Sequence, residues 1–233
     1  METLQFNGEH TKVSKSETYL IARGKRVMGT IDQYGWSTAA VESHDYLLPA
    51  ILEALKEQRP QRVLDLGCGN GRITAALANA GYDTVGIEPS GDGIDAARQS
   101  YPELSFVRGS AYDDLSSHGP FDAIVSAEVI EHLYSPHKMI ESCQRALNPG
   151  GVLIITTPYH GYWKNLAISV FDGWDKHFTA LHEHMHIKFW SKRTLTRLLA
   201  EGGFHRPRWK NVGRVPVLAK SMIAIVQKEG AAA

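Results

Sequence analysis

Three groups of residues in this 233-residue chain have types and spacings that could do chemistry. The first is Asp65-Leu66-Gly67-Cys68-Gly69-Asn70-Gly71, which follows directly on a short apolar run. Glycines at every second position let a backbone turn tightly and approach a ligand without interference from a Cβ. A second apolar run, Thr84 to Glu88, ends in an acid whose carboxylate can accept two hydrogen bonds from a ribose diol. The second group is Glu128-Val129-Ile130-Glu131-His132. In a helical turn Glu128, Glu131 and His132 stand at i, i+3 and i+4 and share one face. Two carboxylates and an imidazole there could coordinate Mg²⁺ or Mn²⁺. Alternatively His132 acts as a general base toward a substrate hydroxyl, with Glu131 orienting it. The third group is His182-x-His184-x-His186, whose side chains point one way on an extended segment. His184 or His186 could complete a metal site with His132.

The glycine loop distinguishes between nucleotides. A dinucleotide loop reads Gly-x-Gly-x-x-Gly, the third glycine packing helix against strand. Counted from Gly67, that position is Arg72, and the fingerprint fails. Asp65, two residues ahead of Gly67, would repel a pyrophosphate but can receive the ammonium of an amino-acid moiety. That favours S-adenosylmethionine over NAD, and a dinucleotide-dependent oxidoreductase is the disfavoured alternative.

These groups need rigid elements to hold them. Residues 37 to 60 carry a helical apolar stripe ended by Pro60, with Pro49 a possible kink. From Arg62 onward short strands (62–66, 84–88, 104–107, 121–126, 152–157) alternate with helical periods (70–80, 91–100, 136–147). That rhythm implies right-handed crossovers and a parallel sheet covered on both faces. A further helix over 191–201 precedes two strands, 207–212 and 221–227, with no helix between them, which makes an antiparallel pair. Cys143 shares a helical face with Met139, Ile140 and Leu147 and belongs to the core. The sequence divides into an N-terminal extension (1–36), a main domain (37–233) and, within it, a His- and aromatic-rich insertion (158–190).

The blocks Val63-Leu-Asp-Leu-Gly-Cys-Gly-Asn-Gly71, Val85-Gly-Ile-Glu-Pro89, Phe121-Asp-Ala-Ile-Val125 and Leu147-Asn-Pro-Gly-Gly-Val152 resemble class I S-adenosylmethionine-dependent methyltransferases. With Glu-x-x-Glu-His after the fourth strand, the resemblance extends to the O-methyltransferases of ubiquinone biosynthesis, the UbiG type. It implies an α/β, Rossmann-like sheet of seven mostly parallel strands, the last antiparallel, with helices on both faces. A helical N-terminal extension and a lid inserted after the fifth strand complete that picture. By this resemblance Asp65, Gly67, Cys68 and Gly69 line the methionine end of the cofactor, and Glu88 and Pro89 the ribose. Ser110 and Ala111 flank the adenine, although many members carry an acid in place of Ser110, and Ala127 lies beside the sulfonium. Glu131 and His132 are the catalytic candidates, and Glu128, Glu131, His132 and His186 the metal candidates. Tyr159, His160, Trp163 and His184 are the candidate acceptor contacts, in a pocket that Tyr162, Phe171, Trp174, Phe178 and Trp190 would also line. The same Glu/Glu/His pattern resembles enzymes that methylate the terminal 2′-hydroxyl of small RNAs. An RNA acceptor is therefore the second reading beside a small-molecule hydroxyl such as a phenol, catechol or sugar. One departure from the ubiquinone group is that no arginine lies between Arg26 and Arg59.

Composition sets the limits. Equal numbers of basic and acidic residues, 25 of each, give no net charge, which argues against a nucleic-acid-binding domain. Residues 187–220 nonetheless hold nine Lys/Arg against one acid, Glu201; the preferred reading is a solvated helix face. No apolar run approaches the roughly 20 residues of a membrane span. Two cysteines without paired spacing suggest a reducing, cytoplasmic setting.

Overall fold

The computed structural model describes residues 2–6, 9–13, 34–38, 42–178 and 185–230. The helix α1 (Glu42–Gln58) carries Pro49 on its exposed side and continues past it. Then follow β3 (Arg62–Leu66), α2 (Arg72–Asn79), β4 (Asp83–Glu88), α3 (Gly91–Ser100) and β5 (Ser105–Arg108). After these come β6 (Phe121–Ala127), α4 (Pro136–Ala146), β7 (Leu147–Pro158), α5 (Tyr162–Val170), α6 (Trp174–Phe178), α7 (Lys192–Glu201), β8 (His205–Val212) and β9 (Ser221–Gln227). Most strands and helices fall within a residue or two of the ends read from the sequence; β7 begins earlier, at Leu147 instead of Val152.

Seven strands form one sheet in the order β5-β4-β3-β6-β7-β9-β8. The first five pair in parallel, and β9 runs antiparallel to both β7 and β8. Side chains alternate between two cores. Val63, Ala123, Val125, Val152, Ile154, Ile223 and Ile225 face α1 and α2. Leu64, Leu66, Ile124, Leu153, Ile155, Met222 and Ala224 face α4 and α7. This period-two alternation of two apolar sets is what a sheet buried on both faces requires. Cys143 is fully buried among the second set, as expected.

The chain leaves β3 toward β4 and β5, then crosses back to β6 on the other side of β3. Loops at the carboxyl ends of β3 and β6 therefore part in opposite directions, and open a crevice of the kind in which doubly wound sheets bind ligands. Asp65 is level with Val125 in the register, so the glycine loop and the turn after Ala127 emerge side by side.

Two readings from the sequence change. The N-terminal extension, expected to be helical, begins with two antiparallel strands, β1 (Glu2–Phe6) and β2 (Glu9–Val13), paired from Glu2↔Val13 to Phe6↔Glu9. The sequence between them is Asn7-Gly8, the dipeptide that two-residue hairpins favour. The basic stretch, in turn, is partly matched by acids of α1: Arg208 pairs with Glu57 at 2.7 Å and Lys210 with Glu53 at 2.9 Å. Exposed pairs of this kind contribute little to stability, but together they leave less free charge for a polyanion. Among the described residues no helix is long and apolar enough to cross a membrane.

Gly86, in the middle of β4, has no room for a side chain: a Cβ there would stand 2.8 Å from both Cys68 Sγ and Phe106 Cδ1. Because Cys68 belongs to the glycine loop, overpacking at this strand position reaches the crevice. Gly86→Ala is expected to destabilise the fold by about 1–3 kcal/mol, read as a fall of several degrees in Tm by circular dichroism.

Candidate functional site

The glycine loop is built around two buried acids. Asp65 is 1 % exposed; its Oδ2 accepts from Thr74 Oγ1 at 2.6 Å, and its Oδ1 has no hydrogen-bond partner among the described residues. Burial, opposed by the Thr74 bond and reinforced by the charge of Glu88, pushes its carboxyl up to about 7. An unpartnered buried acid of this kind fits an ammonium, which would both satisfy Oδ1 and hold the group ionised. Glu88 is also buried. Its Oε2 accepts from Gly69 N at 3.0 Å, and its Oε1 from the backbone and hydroxyl of Ser90. Burial raises its pKa while those bonds oppose the rise. A carboxylate offers about four acceptor positions and three are taken here, so two ribose hydroxyls could bind Glu88 only by displacing a loop contact.

The glycines are close-packed. Gly67 (φ 80°) lies against Val129 of the turn after β6, and Gly69 (φ 51°) against the Trp36 ring, each so near that a Cβ would collide. Cys68 is buried, with its thiol pushed well up by that burial, and so acts as a filler and not as a nucleophile. At the rim, Ser110 N donates to Asp113 Oδ2 at 2.7 Å, and Ser110 Oγ accepts from Tyr112 N at 3.2 Å. Ala111 is buried, Pro89 is half-buried, and Ala127 is half-buried where β6 ends.

The segment Tyr34–Trp36, to which the sequence reading gave no role, crosses this crevice. Gly35 N and Trp36 N both donate to Asp92 Oδ2, at 2.6 and 2.9 Å, which ties the segment to the first turn of α3. Tyr34 stacks on Trp36 and its hydroxyl is 2.8 Å from His132 Nδ1. A signal was present, two aromatics flanking a glycine in a polar stretch just ahead of the first helix, but nothing in it specified a partner.

The turn after β6 differs from the expected helical face. Glu128 has φ 56°, and only Ile130–His132 form a short 3₁₀ turn. That left-handed residue swings the Glu128 side chain away from Glu131 and His132. Its carboxylate accepts from Thr156 Oγ1 at 2.7 Å and Ser221 Oγ at 3.2 Å instead. The expected Glu128 ligand is therefore corrected: the donor atoms that gather within 4.8 Å of one another belong to Glu131, His132 and His186. Glu131 is 1 % exposed; Thr157 Oγ1 donates to its Oε2 at 3.0 Å, and its Oε1 has no hydrogen-bond partner among the described residues. His186 Nε2 stands 3.8 Å from that Oε1, and the His186 and His132 rings meet edge to face. Burial raises both glutamates, and in Glu131 the neighbouring charge of Glu128 adds to it. Thr156 and Thr157, fully buried where β7 ends, are supporting residues that the sequence reading also missed.

His186 reaches this cluster because its segment is fastened to the turn. Ile187 N and Lys188 N both donate to Glu131 O at 3.0 Å, and Trp190 Nε1 donates to Ile130 O. Of the expected acceptor contacts, His160 lines a cavity of about 350 Å³ with Asn165, Trp174, Phe178 and Phe189. Tyr159 packs on Gly161 and its carbonyl accepts from Lys164 Nζ. Trp163 does not line the cavity: it is 61 % exposed, as are Tyr162 and Phe171 to a greater degree. Asn165 faces the cavity, and a residue two positions away on a helix lies about 200° around it. Trp190 belongs to the core instead. His182 and His184 lie outside the described residues.

The Asp65 carboxyl makes a pH-dependent contribution to stability. Below about 3.8, the ordinary carboxyl value, it is protonated in both folded and unfolded chains; between there and about 7 only the folded chain keeps the proton. Stability arising from this group is thus lost as pH rises through that window. Asp65→Asn, neutral at every pH, is expected to melt above the wild type at pH 8, with the gap closing toward pH 4. A gap independent of pH would mean that Asp65 already has a cationic partner in the folded chain.

Comparison with known proteins agrees with this architecture. Residues 41–205 match a family model described as a methyltransferase domain. A ubiquinone biosynthesis O-methyltransferase of Glaesserella parasuis is 33 % identical over 106 residues, 42 % of this chain and 45 % of that protein. The chain therefore spans less than half the length of that relative. Among solved structures, magnesium protoporphyrin IX methyltransferase from Synechocystis PCC 6803, with SAH bound, superposes with a TM-score of 0.59 at 18 % identity, over 78 % of this chain and 82 % of that one. A possible histamine N-methyltransferase from Thermotoga maritima gives 0.59 at 19 % identity, over 80 % and 91 %. At those identities the likeness is one of fold. The family match extends over well more than half of the chain, which belongs to the methyltransferase domain family.

Proposed function

We propose that this chain transfers a methyl group to a hydroxyl oxygen of a small molecule, with His132 taking the proton. The observation that carries this reading is the placement of His132, one turn beyond the glycine loop, with Tyr34 on its Nδ1 and Glu131 and His186 beside it. Bound S-adenosylmethionine supplies the methyl group on a sulfonium, an excellent leaving group. What remains for the protein is to align an oxygen, exclude water and remove one proton. In the tautomer whose Nδ1–H donates to the Tyr34 oxygen, the lone pair resides on Nε2, where a base or a metal ligand needs it. Asp65 would hold the cationic end of the cofactor, and Trp36 would cover the loop. The name shared by the curated relatives, ubiquinone biosynthesis O-methyltransferase, supports an oxygen acceptor.

Glu131, His132 and His186 also make a plausible metal set. With Glu128 turned away, that set is two imidazoles and one carboxylate, which suits Mn²⁺ or another transition ion better than Mg²⁺. Its 4.8 Å span is a little wider than the about 4.2 Å between opposite ligands of a small divalent ion. The ion would therefore draw the three groups inward. The paired basic residues of β8 weaken the RNA-acceptor alternative.

Calorimetry tests both levels. S-adenosylhomocysteine at about 100 times its Kd should stabilise the wild type by about 2.7 kcal/mol, and should fail to stabilise Asp65→Asn comparably; no binding at all would overturn the reading. With the product analogue bound, Mn²⁺ should give a heat that His132→Ala and His186→Ala lose. Heat from neither Mn²⁺ nor Mg²⁺ would leave His132 as an unassisted base. In either case His132→Ala should lower kcat toward a catechol by about 10²–10⁴, with product-analogue affinity kept, and Tyr34→Phe by roughly tenfold or less.

A further inference from the structure

The Trp36 indole lies on the two elements that flank the Glu88 carboxylate. The six-membered edge of the ring touches Gly69, so closely that a Cβ there would collide with it. The five-membered edge reaches the first turn of α3, where a Cβ at Gly93 would stand 3.1 Å from Trp36 Cδ1. Both glycines adjoin Glu88. Gly69 N donates to its Oε2 at 3.0 Å, and a Cβ at Gly93 would stand 2.9 Å from its Cγ. The backbone beside the ring is anchored independently of it. Gly35 N and Trp36 N donate to Asp92 Oδ2, and Tyr34 reaches His132. The indole N–H has no hydrogen-bond partner among the described residues. The ring can therefore turn about its own side-chain bonds while the segment stays in place.

We propose that the Trp36 indole is a gate on the cofactor site: S-adenosylmethionine seats on the glycine loop and Glu88 only after the ring has left Gly69. The inference rests on the reading that places the cofactor there, and adds the step that admits it. Clearance is the first constraint. Carbon atoms in contact stand about 3.5–4.0 Å apart, so a sugar or amino-acid chain between loop and ring needs about 7–8 Å. A ring in contact with Gly69 leaves no such gap. Hydrogen bonding is the second constraint. Gly69 N and the amide and hydroxyl of Ser90 take three acceptor positions of Glu88, of the about four that a carboxylate offers. A pair of ribose hydroxyls therefore needs Gly69 to release Oε2, and Gly69 is the residue the indole presses on. One movement, of Trp36 away from Gly69, serves both requirements. The way out is short, because Gly35, Ser37 and Thr38 around the half-buried ring are exposed. The Tyr34 bond to His132 need not change, so the gate acts at the cofactor end and leaves the imidazole where it is.

The test is fluorine NMR of the full chain grown with 6-fluorotryptophan, which puts the label on the edge that meets Gly69. The five tryptophans give five resonances, and Trp36→Phe identifies that of residue 36 by its loss. A fluorine–proton Overhauser contact to the Gly69 α-protons should be present in the free chain and vanish on saturation with S-adenosylhomocysteine. A contact that persists at saturation would overturn the gate, and so would its absence from the free chain. Calorimetry gives a second reading of opposite sign for a gate and a fixed wall. A closed ring lowers apparent affinity by the open fraction, so Trp36→Ala should bind S-adenosylhomocysteine tighter, by roughly threefold or more. Affinity equal to or below that of the wild type would mark Trp36 as a wall and overturn the proposal. The Overhauser measurement uses the unsubstituted sequence and decides whether or not Trp36→Ala folds. The product analogue bound with the contact intact sinks the gate alone. If neither chain binds it, the cofactor placement fails and the gate fails with it.

Discussion

The organisation of the site depends on one close approach. Gly67 and Val129 touch across the switch point of the sheet, and nothing larger than a hydrogen fits at Gly67. Strands β3 and β6 are neighbours in register, so the loops that leave them would splay apart if either carried bulk at this point. The absence of a Cβ lets the turn Val129–His132 lie directly on the glycine loop. That contact sets the distance between the groups that would hold a cofactor and the imidazole that would take a proton. Everything beyond it, the Tyr34 bond to His132 and the tie from Glu131 to residues 187 and 188, is built outward from this turn.

The same crevice concentrates unfavourable electrostatics. Asp65, Glu88, Glu128 and Glu131 are four buried or nearly buried acids, and burial raises the pKa of each. Two of them differ from the others in a way that matters. Glu88 and Glu128 have both oxygens engaged by hydroxyls or amides, and so are structural as they stand. Asp65 and Glu131 each keep one oxygen without a hydrogen-bond partner among the described residues, although His186 Nε2 stands 3.8 Å from the Glu131 oxygen. An unpaired buried charge is costly unless a cation or donor arrives. Thr84 Oγ1 is also buried without a hydrogen-bond partner among the described residues, but a neutral hydroxyl within a strand carries a smaller penalty and no cationic preference. Charge, and not the orphaned atom by itself, distinguishes Asp65 and Glu131 as waiting positions.

Strands and helices were legible because each rests on local, periodic information. Val63/Leu64, Val152/Leu153 and Ile223/Ala224 alternate between two cores, and the order of strand, loop, helix and acid around Asp65 and Glu88 follows from it. The pairing of β1 with β2 was not read from the polar N-terminal stretch. Other features were not accessible from sequence. That Glu128 adopts φ 56° depends on Thr156 and Ser221, two hydroxyls from strands distant in sequence, which reward the turned side chain. A non-glycine residue in that region is rare, so a helical face was the natural reading and the wrong one. Trp163 and Asn165 illustrate the same limit on a helix. The aromatic residue suggested a pocket wall, but the neighbours of α5 put the polar residue inward and Trp163 outside.

The segment that carries His186 links the cavity wall to the turn after β6. Two amides of that segment bind one carbonyl, that of Glu131, while the Glu131 side chain is held from the other side by Thr157. A displacement of residues 185–190 would therefore move Phe189 at the cavity wall, His186 beside the carboxylate, and the backbone of the turn bearing His132. These contacts are short and directional, and they fasten the segment to the turn. In this arrangement the segment carrying Phe189 and the turn bearing His132 are joined by backbone hydrogen bonds, so the geometry at His132 is set from that segment as well as from the glycine loop.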